Sequence, residues 1–305
     1  MPFCAEDFFK APSERKDNDM QLQWYPGHMA KTRRLIEENL KFIDVVIEIT
    51  DARIPFSSRN PCFDDMLGKK PRLVVLNKSD LADKTVTKLW LDWYAKAGIN
   101  VLPISCTTGA GISSIADRAR GMIKDRLERE KEKGLTRAVK VMMVGIPNAG
   151  KSSLINRLAG KASAKTGDRP GVTRGKQWLR LKNGLELLDT PGILPPKFED
   201  QQAAKNLAYT GAIKDEIMNI ELLSHSLLDY LKVNYAPELS ARYKINGFED
   251  LEGYEILELI GRKRGCVISG GEIDTERAAN LVIDEFRACR IGNISLEKPQ
   301  DLAEA

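Results

Sequence analysis

The period of apolar and polar positions changes several times along this chain. Residues 29–43 place Ile36, Leu40 and Ile43 on one helical face, with Lys31, Arg33 and Arg34 elsewhere. Short aliphatic runs follow at Val45–Ile49, Arg72–Leu76 and Asn100–Ile104, separated by helical stretches near 60–68 and 84–97. Such alternation predicts βαβ units and a parallel sheet. A charged helix is expected from Ile112 to Glu132, ended by Gly134. The strand pattern resumes at Val139–Val144. Two further runs, Gln177–Leu181 and Leu185–Leu188, flank Asn183-Gly184, a strong hairpin signal. Beyond Pro195-Pro196 the strand signals fade. Ile220, Leu223, Leu227 and Leu231 keep helical spacing, as do Ala278, Leu281, Val282, Phe286 and Cys289. The pattern predicts an extension over 1–20, an α/β domain over 21–196 and a smaller helical domain over 197–305.

The candidate chemistry sits at the ends of the strands. Gly145-Ile146-Pro147-Asn148-Ala149-Gly150-Lys151-Ser152 follows an apolar strand and opens a helix, the context of a phosphate loop. Backbone N–H groups of 148–153, including those of Ala149, Gly150 and Ser153, would surround a β-phosphate. Lys151 would neutralise the β- and γ-phosphates, and the Ser152 hydroxyl would ligate Mg²⁺. Alone, this motif indicates a nucleoside triphosphate. Asn77-Lys78-Ser79-Asp80 adds the base. The Asp80 carboxylate can accept from N1–H and the 2-amino group of guanine, donors that adenine lacks. Asn77 would brace the loop, and the Lys78 stem would lie over the ring. Ser105-Cys106 ends the next strand and would offer backbone N–H to the guanine O6.

Asp189-Thr190-Pro191-Gly192 ends another strand. Asp189 would hold Mg²⁺ through water, Gly192 would sense the γ-phosphate, and Thr173, in Pro170-Gly171-Val172-Thr173, would close over the metal. A water-orienting Gln often follows this glycine; here Ile193-Leu194 stands instead, so slow intrinsic hydrolysis is expected. Asn148 has two readings, a ligand for a monovalent cation between the phosphates and a brace within the loop. The motif order is itself informative. The base-reading motifs precede the phosphate loop, so the GTPase parts are circularly permuted. The stretch 112–134 would then join the old C-terminus of the fold to its old N-terminus.

Charge divides unevenly. Residues 1–196 carry a net +11 and residues 197–305 a net −7. A basic first part suits a polyanion such as RNA, although a solvated surface gives the same count. In the acidic part, Arg262-Lys263-Arg264 and Arg287, which falls opposite the apolar stripe of the last helix, are the RNA-contact candidates, and both could equally be solvated surface. The five cysteines are scattered and never spaced Cys-x-x-Cys, which fits reduced thiols in a cytosolic protein. No stretch approaches a membrane span. The acidic first residues and the Leu302-Ala303-Glu304-Ala305 end give no sign of a presequence or prenylation. A cytoplasmic location without membrane association is expected.

This motif order, together with Trp24-Tyr25-Pro26-Gly27-His28-Met29-Ala30-Lys31 and Asp51-Ala52-Arg53-Ile54-Pro55, resembles the circularly permuted ribosome-biogenesis GTPases, most of all the bacterial YlqF type. The similarity covers about residues 20–300. It implies a factor for late assembly of the large ribosomal subunit, monomeric when free. Such a factor binds the precursor particle with GTP and leaves after hydrolysis, and its helical C-terminal domain contacts rRNA. It also implies K⁺ activation linked to Asn148, and a catalytic role for His28 in place of the missing Gln. From the residues alone His28 stays open between catalysis, N-terminal packing or capping, and RNA contact.

Overall fold

The computed structural model describes residues 28–160, 178–181, 183–190, 192 and 200–302. The chain divides into two compact units, Met1–Ala204 with Ser295–Ala305, and Lys205–Ile294.

The first unit is a sheet with flanking helices. Its strands are β1 (Val45–Asp51), β2 (Arg72–Asn77), β3 (Asn100–Pro103), β4 (Val139–Gly145), β5 (Trp178–Arg180) and β6 (Leu185–Asp189). They lie in the order β3-β2-β1-β4-β6-β5, all parallel except β5, which runs antiparallel to β6. Every residue of β1 is buried, as expected for a strand covered on both faces. The helices are α1 (His28–Asn39), α2 (Cys62–Leu67), α3 (Lys84–Lys96), α4 (Ser114–Gly121), α5 (Lys124–Glu132) and α6 (Lys151–Ala159). Asp83 caps α3, its carboxylate accepting from the N–H groups of Thr85 and Val86. Trp90 and Tyr94 on that helix are buried against the sheet beside Val74 and Leu76.

The single helix expected over Ile112–Glu132 is two helices. Ile115, Ala116 and Ala119 bury the apolar stripe of α4, which Ile123 continues between the two helices, whereas α5 buries no residue. Ile123 leaves the helical conformation at φ −125°, where that stripe ends. With no apolar face, α5 is held by charge. Buried Asp44, just before β1, accepts from Arg137 at 3.0 Å and pairs with Arg126 at 3.0 Å, and Arg137 also reaches Glu130. Burial alone would raise the Asp44 carboxyl, but Arg137, the Lys140 N–H and Arg126 hold it below its ordinary value.

The second unit contains α8 (Ile220–Asn234), α9 (Ala236–Tyr243), α10 (Gly253–Arg264) and α11 (Thr275–Arg287); α7 (Gln201–Tyr209) spans the division. Leu223, Leu227 and Leu231 of α8 are buried, as the spacing predicts, with Ile256, Leu257 and Ile260 of α10 and Ala278, Val282 and Phe286 of α11. No helix among the described residues is long and apolar enough to cross a membrane.

Two expectations need correcting here. The helical unit does not run to 305, because residues from Ser295 onward return to the sheet unit. The reason is polar: Leu296 N–H donates to Arg53 O, and the Glu297 carboxylate accepts from the Phe56 and Ser57 N–H groups. Arg287 is also not an open RNA-contact residue. Its guanidinium donates twice to Asp215 at 2.7 Å and to the carbonyls of Ala208 and Tyr209. Arg264 lies over the Tyr243 ring and bonds Arg242 O, leaving Arg262 and Lys263 as the exposed basic pair without such contacts to Tyr243 and Arg242. His225 is half-buried, 6.3 Å from the Tyr254 ring, and burial lowers its pKa.

Candidate nucleotide site

Parallel β2, β3, β4 and β6 all end at one edge of the sheet, so the loops after them gather there regardless of chain order. β4 leads into the phosphate loop and α6. Asn148 is exposed with φ 57°, a left-handed conformation that Asn tolerates better than most side chains. Gly150 has φ 95°, and a Cβ there would lie 2.1 Å from Asn77 Nδ2. Only glycine combines that φ with that approach. Lys151 opens α6 and is buried; Ser152 and Ser153 are partly buried in the first turn, which carries no acidic residue. The N–H groups of such a turn lack intrahelical partners and suit an anion.

Asn77 joins three loops. Its Nδ2 donates to Ala149 O at 2.8 Å, and its Oδ1 accepts from Cys106 N–H at 3.1 Å. One buried amide therefore sets the phosphate loop, Asn77-Lys78-Ser79-Asp80 and Ser105-Cys106 against one another. Ser79 closes the same corner, its N–H and Oγ both donating to Ile104 O at 3.0 and 2.8 Å. Asp80 is partly buried beside it.

Ser105 and Cys106 do not present idle N–H groups. The Ser105 N–H donates to Ala110 O and the Cys106 N–H to Asn77 Oδ1, so a guanine O6 would share Cys106's donor with Asn77. Burial pushes the Cys106 thiol up to about 11, so it stays protonated at neutral pH. Arg157 of α6 holds this loop from the other side, donating to the carbonyls of Cys106 and Thr107. Nothing in the sequence marks Arg157 for that task.

Lys78 has φ 60°, and its ammonium lies 2.8 Å from Asp51 Oδ2. Asp51 ends β1 in register with Asn77 and is also gripped by Arg53 through Nε and Nη2. Burial would raise the Asp51 carboxyl, but the charges of Arg53 and Lys78 hold it well below the carboxylate range. Asp51 was visible in sequence only as part of a family motif.

On the switch side, Asp189 ends β6 in register with Met143, and the buried Thr190 hydroxyl donates to Met143 O. A Cβ at Gly192 would lie 2.9 Å from Pro147 N, so this glycine rests against the backbone of the phosphate loop. Ser152, in the first turn of α6 after the phosphate loop of β4, and Asp189, at the end of the adjacent strand β6, thus lie on the same edge of the sheet. A hydroxyl and a carboxylate-bearing residue are the hard oxygen donors that suit Mg²⁺, an ion that keeps several of its waters. Thr173, Ile193 and Trp24–Gly27 lie outside the described residues. His28 opens α1.

Comparison with known proteins agrees with this geometry. A family model described as 50S ribosome-binding GTPase matches residues 140–237, starting at the strand that feeds the phosphate loop. The base-reading motifs precede that segment here and fall outside it. Ribosome biogenesis GTPase A of Priestia megaterium is 48% identical over 285 residues, spanning 92% of this chain and 98% of that protein. Solved structures of YlqF, one GDP-bound and one GNP-bound from T. maritima, superpose with TM-scores of 0.63 and 0.61 at 30% identity. Each covers 88% of this chain, and this chain covers 100% and 99% of them respectively. With base-reading strands before the phosphate-loop strand in one sheet, and relatives similar over nearly their full length, the chain belongs to the ribosome biogenesis GTPase A family of YlqF type, circularly permuted P-loop GTPases that hydrolyse GTP.

Proposed function

We propose that this GTPase acts in late maturation of the large ribosomal subunit, binding the precursor particle in its GTP state and leaving after hydrolysis. The observation that carries the reading is the permuted chain path. Among the described residues after Gly192 the chain adds no further strand to the sheet and continues to α7 and the helical unit. A γ-phosphate sensor is therefore covalently continuous with the module assigned to rRNA. Within that module the exposed Arg262 and Lys263 are the candidate phosphate contacts.

In this reading Lys151 and the first-turn N–H groups of α6 hold the β- and γ-phosphates, and Asp80 reads the guanine edge. Ser152, Thr173 and Asp189 would hold Mg²⁺, which supplies neutralising charge between the phosphates. Asn148 would ligate K⁺, which supplies the positive charge that an arginine finger brings elsewhere. Hydrolysis is then expected to run faster in K⁺ than in Na⁺ at matched ionic strength. Asn148→Ala should erase the difference, and equal wild-type rates in the two salts would remove the cation site.

Co-sedimentation with precursor particles tests the whole reading. A non-hydrolysable GTP analogue should favour binding over GDP, and by linkage the particle should raise affinity for that analogue relative to GDP by the same factor. Pro195-Pro196 lies outside the described residues, and in sequence each proline restricts φ of the chain that follows Gly192. Replacing them with a Gly/Ser stretch should shrink the analogue-to-GDP ratio while GTP binding by the free protein persists. No sedimentation in either nucleotide state would overturn the proposal.

A further inference from the structure

The segment that follows the helical unit is built into the base side of the nucleotide site. Ser295 Oγ accepts from Asp83 N–H at 3.2 Å, and Glu297 O accepts from the buried Trp90 Nε1 at 3.0 Å. Glu297 is itself buried. Its carboxylate accepts from Phe56 N–H at 2.8 Å, from Ser57 N–H at 3.0 Å and from the Ser57 hydroxyl. Between these anchors, Leu296 N–H donates to Arg53 O at 2.9 Å. The loop 52–57 is thereby fixed from the far end of the chain. That loop carries Arg53, whose guanidinium grips Asp51, and Asp51 lies 2.8 Å from the Lys78 ammonium. The loop is also bonded to the base-reading corner directly, through Ala52 N–H to Asn77 O at 2.7 Å.

We propose that Glu297 is a positioning residue for guanine-nucleotide binding, acting through the 52–57 loop and Asp51 on Lys78. The inference rests on the reading that the Lys78 stem lies over the base. Lys78 holds a left-handed backbone conformation, which a non-glycine residue keeps only where its surroundings enforce it. The Asp51 contact supplies that enforcement at the side chain. It is well placed only while Arg53 and its loop are held, and Glu297 holds the loop by accepting from two of its backbone N–H groups.

The test is a double-mutant cycle on the full-length protein. KM and kcat for GTP hydrolysis, Kd for a fluorescent GDP analogue and melting temperature are measured for Glu297→Ala, Lys78→Met and the pair. Lys78→Met keeps an aliphatic stem but removes the ammonium that Asp51 holds. Glu297→Ala should raise KM and Kd by about 10-fold with kcat at saturation retained, the effect of one poorly satisfied buried contact. Glu297→Gln, which keeps an acceptor oxygen, should recover part of that loss. In the Lys78→Met background, Glu297→Ala should add nothing further. An unchanged KM, or the same factor in both backgrounds, overturns the proposal. If Glu297→Ala does not fold, Glu297→Gln carries the same cycle with the same criteria. The base preference of Asp80→Asn separates the two levels: a switch to xanthine with an additive cycle sinks this inference alone, whereas no switch sinks the reading of the base site.

Discussion

Asp80→Asn is expected to turn the enzyme from a guanine to a xanthine nucleotide GTPase. The wild-type carboxylate can accept from both N1–H and the 2-amino group of guanine. An amide keeps an acceptor for N1–H but presents an N–H to the second position, where guanine also carries donors and xanthine carries a carbonyl. One contact is lost for GTP and one is gained for XTP. With each buried mismatch costing about 1–3 kcal/mol, the GTP-to-XTP preference should swing by about 10²–10⁴-fold. The surrounding frame makes the swing readable. Asn77 bonds Ala149 and Cys106, and Ser79 bonds Ile104, without involving the Asp80 side chain in those contacts. The phosphate half of the site should therefore persist, and GTP hydrolysis should fall through KM. Competition of GTP and XTP for the variant, with hydrolysis of each, gives the ratio. A variant that still prefers GTP would show that Asn77-Lys78-Ser79-Asp80 does not read the base.

The sheet was legible because parallel strands buried on both faces are continuous aliphatic runs, and each binding motif stood immediately after one of them. Val45–Ile49, Arg72–Leu76 and Val139–Val144 all fall within strands, and Asn183-Gly184 makes the turn between β5 and β6. Motif order then gave the permutation, since sheet order does not depend on it. What escaped was whatever local pattern does not encode. The break between α4 and α5 falls just after Gly121, and the last buried apolar residue of that stretch, Ile123, stands directly before α5. Leu296 and Glu297 carry no strand or helix signature, so their return to the 52–57 loop could not be read. Arg287 looked solvent-facing by helical phase, yet the Ala208 and Tyr209 carbonyls lie within its reach. Cys106's N–H looked available to a base until Asn77 was seen to accept from it. These are long-range polar contacts, and each depends on a partner some 30 to 240 residues away in sequence.

His28→Ala should slow particle-stimulated GTP hydrolysis by about 10²–10⁴-fold, the usual range for loss of a positioned proton-transfer group. The argument begins with what the switch lacks. Ile193 follows Gly192 where a water-orienting Gln often stands, and an alkyl side chain neither accepts a proton nor orients water. The chain has only two histidines. His225 sits in α8 of the helical unit, half-buried against Tyr254, with burial lowering its pKa. The family resemblance assigns the role of the missing Gln to His28, which opens α1. The expected loss is read in the rate with particles, because intrinsic hydrolysis by the free protein is expected to be slow without the Gln. Binding of GTP and GDP to the free protein should hardly change, since His28 stands outside the phosphate loop and the base-reading motifs. Single-turnover hydrolysis with and without particles, beside nucleotide titrations, separates the two effects. A catalytic imidazole also gives the stimulated rate a pH dependence that the variant should lack. An unchanged stimulated rate would return His28 to packing at the start of α1 or to RNA contact. A fall in particle binding with the rate per bound complex intact would select RNA contact.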